Sequence, residues 1–149
     1  MRLLLLGCTG FVGRELVPTL LKQGHQLTLI SRRMARGYEA ERAAGDLTWL
    51  QLDPASATSW QDATLLEALN QADAVVNLTG EPIAEKRWTP AHLRVLEASR
   101  LETTRLLVEA MAASATPPGV LINASAIGFY GTSATARFVE SSPAGGDFL

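Results

Sequence analysis

The sequence is poor in the residues that form disulfides and bind metal ions. It contains one cysteine, Cys8, and two histidines, His25 and His92, in 149 residues. A lone cysteine cannot form an internal disulfide, and these residues lack the spacing of metal ligands. We therefore predict a metal-free protein in a reducing compartment, which is the cytoplasm or an organelle interior, with the cytoplasm as the first choice.

Long apolar runs and an excess of one charge are also missing. The first apolar run, residues 3–6, is shorter than the apolar region of a secretory signal, which has about 7–15 residues. No stretch approaches the roughly 20 residues of a membrane span. The formal net charge is -2, and the Lys and Arg residues are scattered. We therefore expect no membrane and no nucleic-acid partner, and a small molecule as the ligand.

Apolar segments of two kinds alternate along the chain. Short runs predict strands at residues 3–6, 26–30, 47–52, 74–76 and 120–122. Helical spacing predicts helices after residue 10, at residues 62–70, and from Pro90 to a point before Pro117. The segment between the second and third strands is ambiguous, and Pro18 predicts a kink or irregular turn. This order predicts one α/β domain with a doubly wound parallel sheet.

The last predicted helix has many apolar residues, and we expect one stripe of them to face the sheet. The predicted stripe consists of Leu93, Leu96, Leu101, Thr104, Leu107, Val108 and Met111.

A glycine-rich segment, Gly7-Cys8-Thr9-Gly10-Phe11-Val12-Gly13, joins the first strand to the first helix. Glycine there permits a tight turn, close approach of phosphates to the main chain, and close packing of helix on strand. The spacing departs from G-x-G-x-x-G, and a turn that needs glycine only for its backbone angles is the alternative. The setting predicts a Rossmann-type site for a dinucleotide pyrophosphate. The predicted contacts are Gly7, Thr9, Gly10, Phe11, Val12 and Gly13.

The second strand ends at Ser31-Arg32-Arg33, beside the expected position of the adenosine ribose. An acid at this place reads the 2′-hydroxyl of NAD, whereas arginine suits the 2′-phosphate of NADP. We therefore predict NADP as the cofactor, with NAD as the alternative. Arg32 is the predicted main contact, with Ser31 or Arg33 assisting. Solvated surface arginines are the competing interpretation.

Several further motifs accompany the glycine turn. They are residues 77–83 (Asn-Leu-Thr-Gly-Glu-Pro-Ile), Lys86-Arg87-Trp88-Thr89, Ser99-Arg100, residues 125–131 (Ser-Ala-Ile-Gly-Phe-Tyr-Gly) and Gly146-Asp147-Phe148-Leu149. With them the chain resembles the extended short-chain dehydrogenase/reductase superfamily almost end to end. Within it, the chain is similar to the atypical NAD(P)-dependent epimerase-like group, whose members are sometimes described as sugar nucleotide epimerases or cell-division inhibitors.

The resemblance implies further cofactor contacts. It places Asp53 near the adenine, where a carboxylate can accept a hydrogen bond from the exocyclic amine; a solvated acid at a strand end is the alternative. It sets Asn77, Leu78, Thr79 and Gly80 along the dinucleotide. Asn77 can instead cap a turn.

Enzymes of this superfamily use a Ser or Thr hydroxyl after the fifth strand, with a Tyr-x-x-x-Lys pair about two dozen residues later. Ser125 is the candidate for the hydroxyl, although alignment on Tyr130-Gly131 puts Ala126 at that position. No Tyr-x-x-x-Lys occurs in the sequence. A tyrosine of ordinary pKa, about 10, needs a nearby cation to act as a base. The sequence therefore leaves catalysis open.

The superfamily also builds its substrate pocket from later segments, so we expect this chain to be the N-terminal part of a longer domain or a half-domain completed by a partner. An exposed sheet edge would favour a homo-oligomer. The predicted function is an NADP(H)-binding domain of a nucleoside-diphosphate-sugar epimerase or NAD(P)-dependent oxidoreductase that acts on a small substrate. A non-catalytic dinucleotide-sensing module, including a cell-division regulator, is the alternative.

Overall fold

A computed structural model of the protein describes residues 1–34 and 36–146, so the Asp147-Phe148-Leu149 part of the last motif lies outside the described residues. Among the described residues, five strands and four α-helices alternate. The strands are β1 Arg2–Leu6, β2 Gln26–Ser31, β3 Leu47–Gln51, β4 Ala74–Asn77 and β5 Val120–Asn123. The helices are α1 Phe11–Lys22, α2 Glu39–Ala44, α3 Ala63–Gln71 and α4 Pro90–Ala113, with short 3-10 turns at Ser59–Gln61 and Ile127–Tyr130.

The strands form one parallel sheet in the order β3-β2-β1-β4-β5. β1 is central, with Leu5 paired to Leu29 of β2 on one side and to Val76 of β4 on the other. The predicted doubly wound parallel sheet is therefore confirmed. The direction of winding reverses between β1 and β4, and the carboxyl ends of the strands on both sides of this point are where such sheets bind ligands.

Each face of the sheet is covered by its own apolar layer. On one face, Leu3 and Leu5 of β1 pack in a cluster with Val17 of α1. On the other face, Leu4 and Leu6 pack in a cluster with residues of α3 and α4. Residues 3–6 are all buried, because a central parallel strand has helices on both sides.

Side-chain caps begin two of the helices. Asp62 Oδ1 accepts hydrogen bonds from the backbone of Thr64 and Leu65 at the start of α3. Thr89 Oγ1 accepts from the backbone N–H of His92, and Pro90 occupies the first turn of α4. α1 runs through Pro18 without interruption, so an irregular turn there does not form.

The predicted inner stripe of α4 is partly wrong. Leu96 and Leu107 are fully buried, but Leu101 is 64% exposed and Val108 is 47% exposed. Thr103, which the sequence did not indicate, is buried instead. Within residues 1–34 and 36–146, no helix is both long and apolar enough to cross a membrane.

Candidate cofactor site

The predicted site residues follow the carboxyl ends of the five strands. The glycine turn follows β1, and residues 31–33 begin at the last residue of β2. Asp53 follows β3. Residues 77–80 begin at the last residue of β4, and Ser125 follows β5. Because the sheet is parallel, these segments meet at one edge, on both sides of the reversal between β1 and β4. The fold thus assembles the residues that the sequence proposed, while their contact with a cofactor stays a prediction.

Two glycines of the turn are required by the packing around them. Gly7 has a φ of 73°, and a Cβ there would lie 2.6 Å from the carbonyl carbon of Leu78. A Cβ at Gly13 would lie 2.1 Å from the carbonyl oxygen of Cys8. The main chain after β1 therefore touches the main chain after β4, and α1 packs directly on the turn. Glycine does more here than supply backbone angles.

Gly10 differs from these two glycines. It is the N-cap of α1 and has no side chain to bond the open N–H groups of the first turn. A Cβ at this place would meet only the carbonyl oxygen of Gly7, at 3.5 Å, which is ordinary contact. Phe11 and Val12, in the first turn, are 91% and 57% exposed. The N-terminus of α1 is thus open to solvent at the ligand-binding edge of the sheet, as a phosphate site requires.

The hydroxyl proton of Ser31 is donated to a group inside the protein. Ser31 Oγ donates to the carbonyl oxygen of Arg33 at 2.6 Å and accepts from Trp49 Nε1 at 2.8 Å. A hydroxyl has one proton to donate, so Ser31 has none left for a phosphate. This arrangement makes Ser31 a residue that shapes the turn at the end of β2.

Three arginines, Arg14, Arg32 and Arg33, lie in two different environments. Arg14 and Arg33 line a cavity of about 300 Å³ together with Thr9 and Tyr38. Arg14 Nε also donates to the carbonyl oxygen of Thr9 at 3.2 Å. Arg32, by contrast, extends to the segment after β4. The sequence motif ranked Arg32 over Arg33, whereas the cavity beside the glycine turn is lined by Arg33 and also by Arg14, which sequence reasoning missed.

Glu81 is the partner of Arg32. Arg32 Nη2 lies 3.6 Å from Glu81 Oε2, and Lys86 Nζ lies 2.9 Å from Glu81 Oε1. The hydrogen bond from Lys86 is the main cause that lowers the pKa of the Glu81 carboxyl below its ordinary value, with a smaller contribution from Arg32. Burial opposes this shift. Glu81 is therefore ionised at neutral pH between two cations.

Asn77 is buried, and its side-chain amide is saturated by hydrogen bonds. Nδ2 donates to Asn123 Oδ1 at 2.7 Å and to Thr104 Oγ1 at 3.3 Å. Oδ1 accepts from the backbone N–H of Thr79 at 3.2 Å and from Thr79 Oγ1 at 2.6 Å. The amide has two donors and two acceptor positions, and all are occupied. This geometry supports the turn-capping interpretation of Asn77 over direct cofactor contact through its side chain.

Helix α4 holds the segment that follows residue 79. The backbone N–H of Glu81 donates to Ser99 Oγ at 2.9 Å, and Arg100 Nη2 donates to the carbonyl oxygen of Glu81 at 3.2 Å. A Cβ at Gly80 would lie 3.2 Å from the Arg100 guanidinium. Ser99-Arg100 is one of the sequence motifs, but no local pattern predicts its role, because Glu81 lies 18 residues from Ser99 and 19 from Arg100.

The remaining candidates have less definite surroundings. Asp53 is exposed, and its Oδ1 accepts from the backbone N–H of Ala55 at 3.1 Å, so one carboxylate oxygen caps a turn. Ser125 is exposed, two residues beyond β5. Cys8 is buried, and burial raises the pKa of its thiol to about 11. Such a thiol is protonated at neutral pH, so Cys8 is a packing residue of the turn.

Comparison with known proteins identifies the family. The sequence profile described as the NAD dependent epimerase/dehydratase family matches residues 3–146. The chain belongs to this family. This match confirms the prediction that the chain is an extended short-chain dehydrogenase/reductase of the epimerase-like group. The predicted N-terminal Rossmann-type fold is confirmed as well.

Two curated relatives show how much of a related protein the chain spans. It is 35% identical to the human epimerase family protein SDR39U1 over 150 residues, covering 99% of this chain and 44% of the relative. It is 34% identical to the Arabidopsis thaliana SDR39U1 homolog, described as chloroplastic, covering 96% of this chain and 39% of the relative. The chain therefore spans less than half the length of these relatives.

A solved structure of the human protein shows the same architecture. The crystal structure of human SDR39U1 (isoform 2) with NADPH has a TM-score of 0.75 at 33% identity, covering 99% of this chain and 44% of that chain.

Proposed function

We propose that this chain forms the NADP(H)-binding part of an NAD(P)-dependent epimerase or oxidoreductase. The expected substrate is a small molecule, and nucleoside-diphosphate sugars are the first class to test. Bound nicotinamide would supply or accept hydride. The residues of this chain would bind and orient the dinucleotide at the edge of the sheet between β2 and β4.

The glycine turn carries the proposal. Gly7 and Gly13 are positions where a Cβ cannot fit, and they bring the start of α1 close to the end of β4. Gly10 leaves the N-terminus of α1 uncovered. Pyrophosphate is the ligand that suits such a site, because the open backbone N–H groups and the helix dipole both favour negative charge. A structural turn alone would not require an uncovered helix end.

Charge at the end of β2 supports NADPH over NADH. Arg32 and Arg33 stand where an acid would contact the ribose 2′-hydroxyl of NAD, and Arg14 lines the same cavity as Arg33. Arginine suits a 2′-phosphate because its planar guanidinium forms two parallel hydrogen bonds to phosphate oxygens. The human relative crystallised with NADPH agrees with this preference.

A binding module without catalysis is the second candidate. The two tyrosines of the chain, Tyr38 and Tyr130, are followed four positions later by Arg42 and Ala134, so neither begins a Tyr-x-x-x-Lys pair. Burial is the main cause that raises the pKa of Tyr38, which makes it a weaker candidate for a base. Turnover separates the two functions: NADPH oxidation or epimer formation with a sugar nucleotide supports the enzyme, whereas tight binding without turnover in the full-length protein supports the module.

Calorimetric titration with NADPH and NADH in parallel tests the binding function. We expect both to bind and NADPH to bind more tightly. Gly10→Val should weaken both cofactors at least about ten-fold, because its side chain would enter the phosphate position while its Cβ meets only ordinary contacts. Gly119→Val is the matched control, since a Cβ there meets only the carbonyl oxygen of Asp73 at 3.7 Å, near the opposite edge of the sheet. Failure of both cofactors to bind, or unchanged affinity in Gly10→Val, would contradict the proposal.

We also propose that the chain self-associates through β5. Among the described residues β5 pairs with β4 alone, and Val120 and Ile122 are 51% and 55% exposed. Unpaired strand groups beside exposed apolar side chains favour association. Light scattering of the purified chain tests this, and a monomer at all concentrations would contradict it.

The proposed location of the protein is the cytoplasm. Fractionation of the source cells tests this location.

A further inference from the structure

We propose that Glu81 determines how strongly the site prefers NADPH over NADH, because it holds Arg32 in competition with the 2′-phosphate. This inference rests on the proposed dinucleotide site and assigns Glu81 a role within it. Three observations carry it: the fixed backbone of Glu81, the different exposure of its partners, and the second cation at Lys86.

Glu81 is the fixed member of the pair. Its backbone N–H donates to Ser99 Oγ and its carbonyl oxygen accepts from Arg100, so α4 holds the backbone on both sides of the Glu81 Cα. Its side chain is 11% exposed, whereas the side chain of Arg32 is 68% exposed. If the pair separates, Arg32 is therefore the residue that moves.

The pair lies across the expected path of the adenosine half of the cofactor. Arg32 follows the last residue of β2 and Glu81 follows β4 by four residues, and these strands flank β1 on opposite sides. The ion pair therefore joins the two sides of the sheet edge at the carboxyl end of β1, where the glycine turn begins. A cofactor that enters here meets an arginine whose charge already has a partner.

Lys86 allows the exchange of partners. Its ammonium is 2.9 Å from Glu81, closer than the 3.6 Å of Arg32. When Arg32 leaves, Glu81 keeps this cation, so no isolated carboxylate remains in a half-buried place. A 2′-phosphate offers Arg32 a doubly charged, bidentate partner, while NADH offers none. Glu81 therefore weakens NADPH binding and leaves NADH binding nearly unchanged.

Glu81→Gln tests the competition, because glutamine keeps the shape of glutamate and removes its charge. The ratio of the NADH Kd to the NADPH Kd should rise about five-fold, the upper end of what an ion pair contributes when one of its partners is exposed. Glu109→Gln is the matched control: Glu109 also pairs with an arginine, Arg105, on the outer surface of α4, and its loss should leave the ratio unchanged. Circular dichroism checks folding, and Glu81→Asp, which draws the carboxylate back from Arg32, should change the ratio in the same direction.

The Arg32→Gln background shows whether the effect passes through Arg32. There, Glu81→Gln should change the ratio less than two-fold. Lys86→Gln should lower NADPH affinity in the wild type, because Glu81 then holds Arg32 more firmly, but not in the Arg32→Gln background. If the wild type binds NADPH and Glu81→Gln leaves the ratio unchanged or lowers it, this inference fails while the proposed function stands. If the wild type binds neither dinucleotide, both fail.

Discussion

Asn77 Nδ2 donates a hydrogen bond to Asn123 Oδ1 at 2.7 Å, and this bond joins the last residues of β4 and β5. The two residues are also direct partners in the register of the sheet. The amide oxygen of Asn77, Oδ1, accepts from the backbone N–H of Thr79. This segment after β4 contacts the glycine turn at Gly7. One buried side chain thus connects β5, which ends two residues before Ser125, to the loop beside the proposed pyrophosphate site.

Asn77→Ala should destabilise the fold by about 1–2 kcal/mol, because a buried side chain that forms four hydrogen bonds is lost, while Asn123, Thr104 and Thr79 are partly open to water. Urea unfolding measures the loss. Gln71→Ala is the control. It removes an exposed side chain that bonds Glu67 alone among residues 1–34 and 36–146, and it should cost less than about 0.5 kcal/mol. Equal losses in the two variants would show that the Asn77 network contributes little.

Gly7→Ala should be far more destabilising than Gly24→Ala. Both glycines have positive φ, 73° and 78°, so both variants suffer similar backbone strain of about 1–2 kcal/mol. A Cβ at Gly24 meets nothing within 4 Å, whereas one at Gly7 meets the backbone of Leu78 at 2.6 Å. The difference between the unfolding free energies of the two variants measures the energetic effect of the close approach between the main chain after β1 and the main chain after β4. Similar values for both would mean that only the backbone angle matters.

Ser31→Ala should act on stability more than on cofactor selectivity. The hydroxyl bonds the carbonyl oxygen of Arg33 and the indole of Trp49, so its loss leaves buried Trp49 Nε1 without a partner, at a cost of about 1–3 kcal/mol. In a double-mutant cycle with Trp49→Phe the two losses should not add. NADPH selectivity should change less than in Arg32→Gln. A selectivity loss as large as that of Arg32→Gln would restore Ser31 as a phosphate contact.

The sequence was sufficient to predict the sheet. The sequence predicts all five strands within one residue of their observed ends. Residues 3–6 of β1 and all of β4 are buried, and a parallel strand covered on both faces leaves a continuous apolar run. Helix α2, Glu39–Ala44, was not predicted, and the reason is physical: none of its residues is buried, so it has no apolar stripe. In α4, apolar residues occur on more than one side, and Leu101 was wrongly placed on the inner one.

The candidate site was predicted in outline. The sequence indicated which segments meet, because strand ends of a parallel sheet share one edge. Roles within the site depend on partners far along the chain. Arg32 and Glu81 are separated by 49 in sequence, and Asn77 and Asn123 by 46, so neither pair leaves a local pattern. The motifs predict Asn77 and Ser31 as cofactor contacts, with turn capping as the alternative for Asn77, and they give no sign of the hydrogen bonds that the two side chains make within the protein.

Cys8 should be unreactive in the folded protein although it lies within the glycine turn. It is 4% exposed, and burial raises the pKa of its thiol to about 11. At pH 8 very little thiolate is present, and alkylation by iodoacetamide should be at least about 100-fold slower than for a free thiol. In urea the rate should reach the free-thiol value. Because a raised pKa keeps the thiol protonated, the native rate should rise only as the pH approaches 11. Cys8→Ala should accordingly keep NADPH binding. Rapid labelling at pH 8, or loss of binding in Cys8→Ala with the fold intact, would give the thiol a direct role at the site.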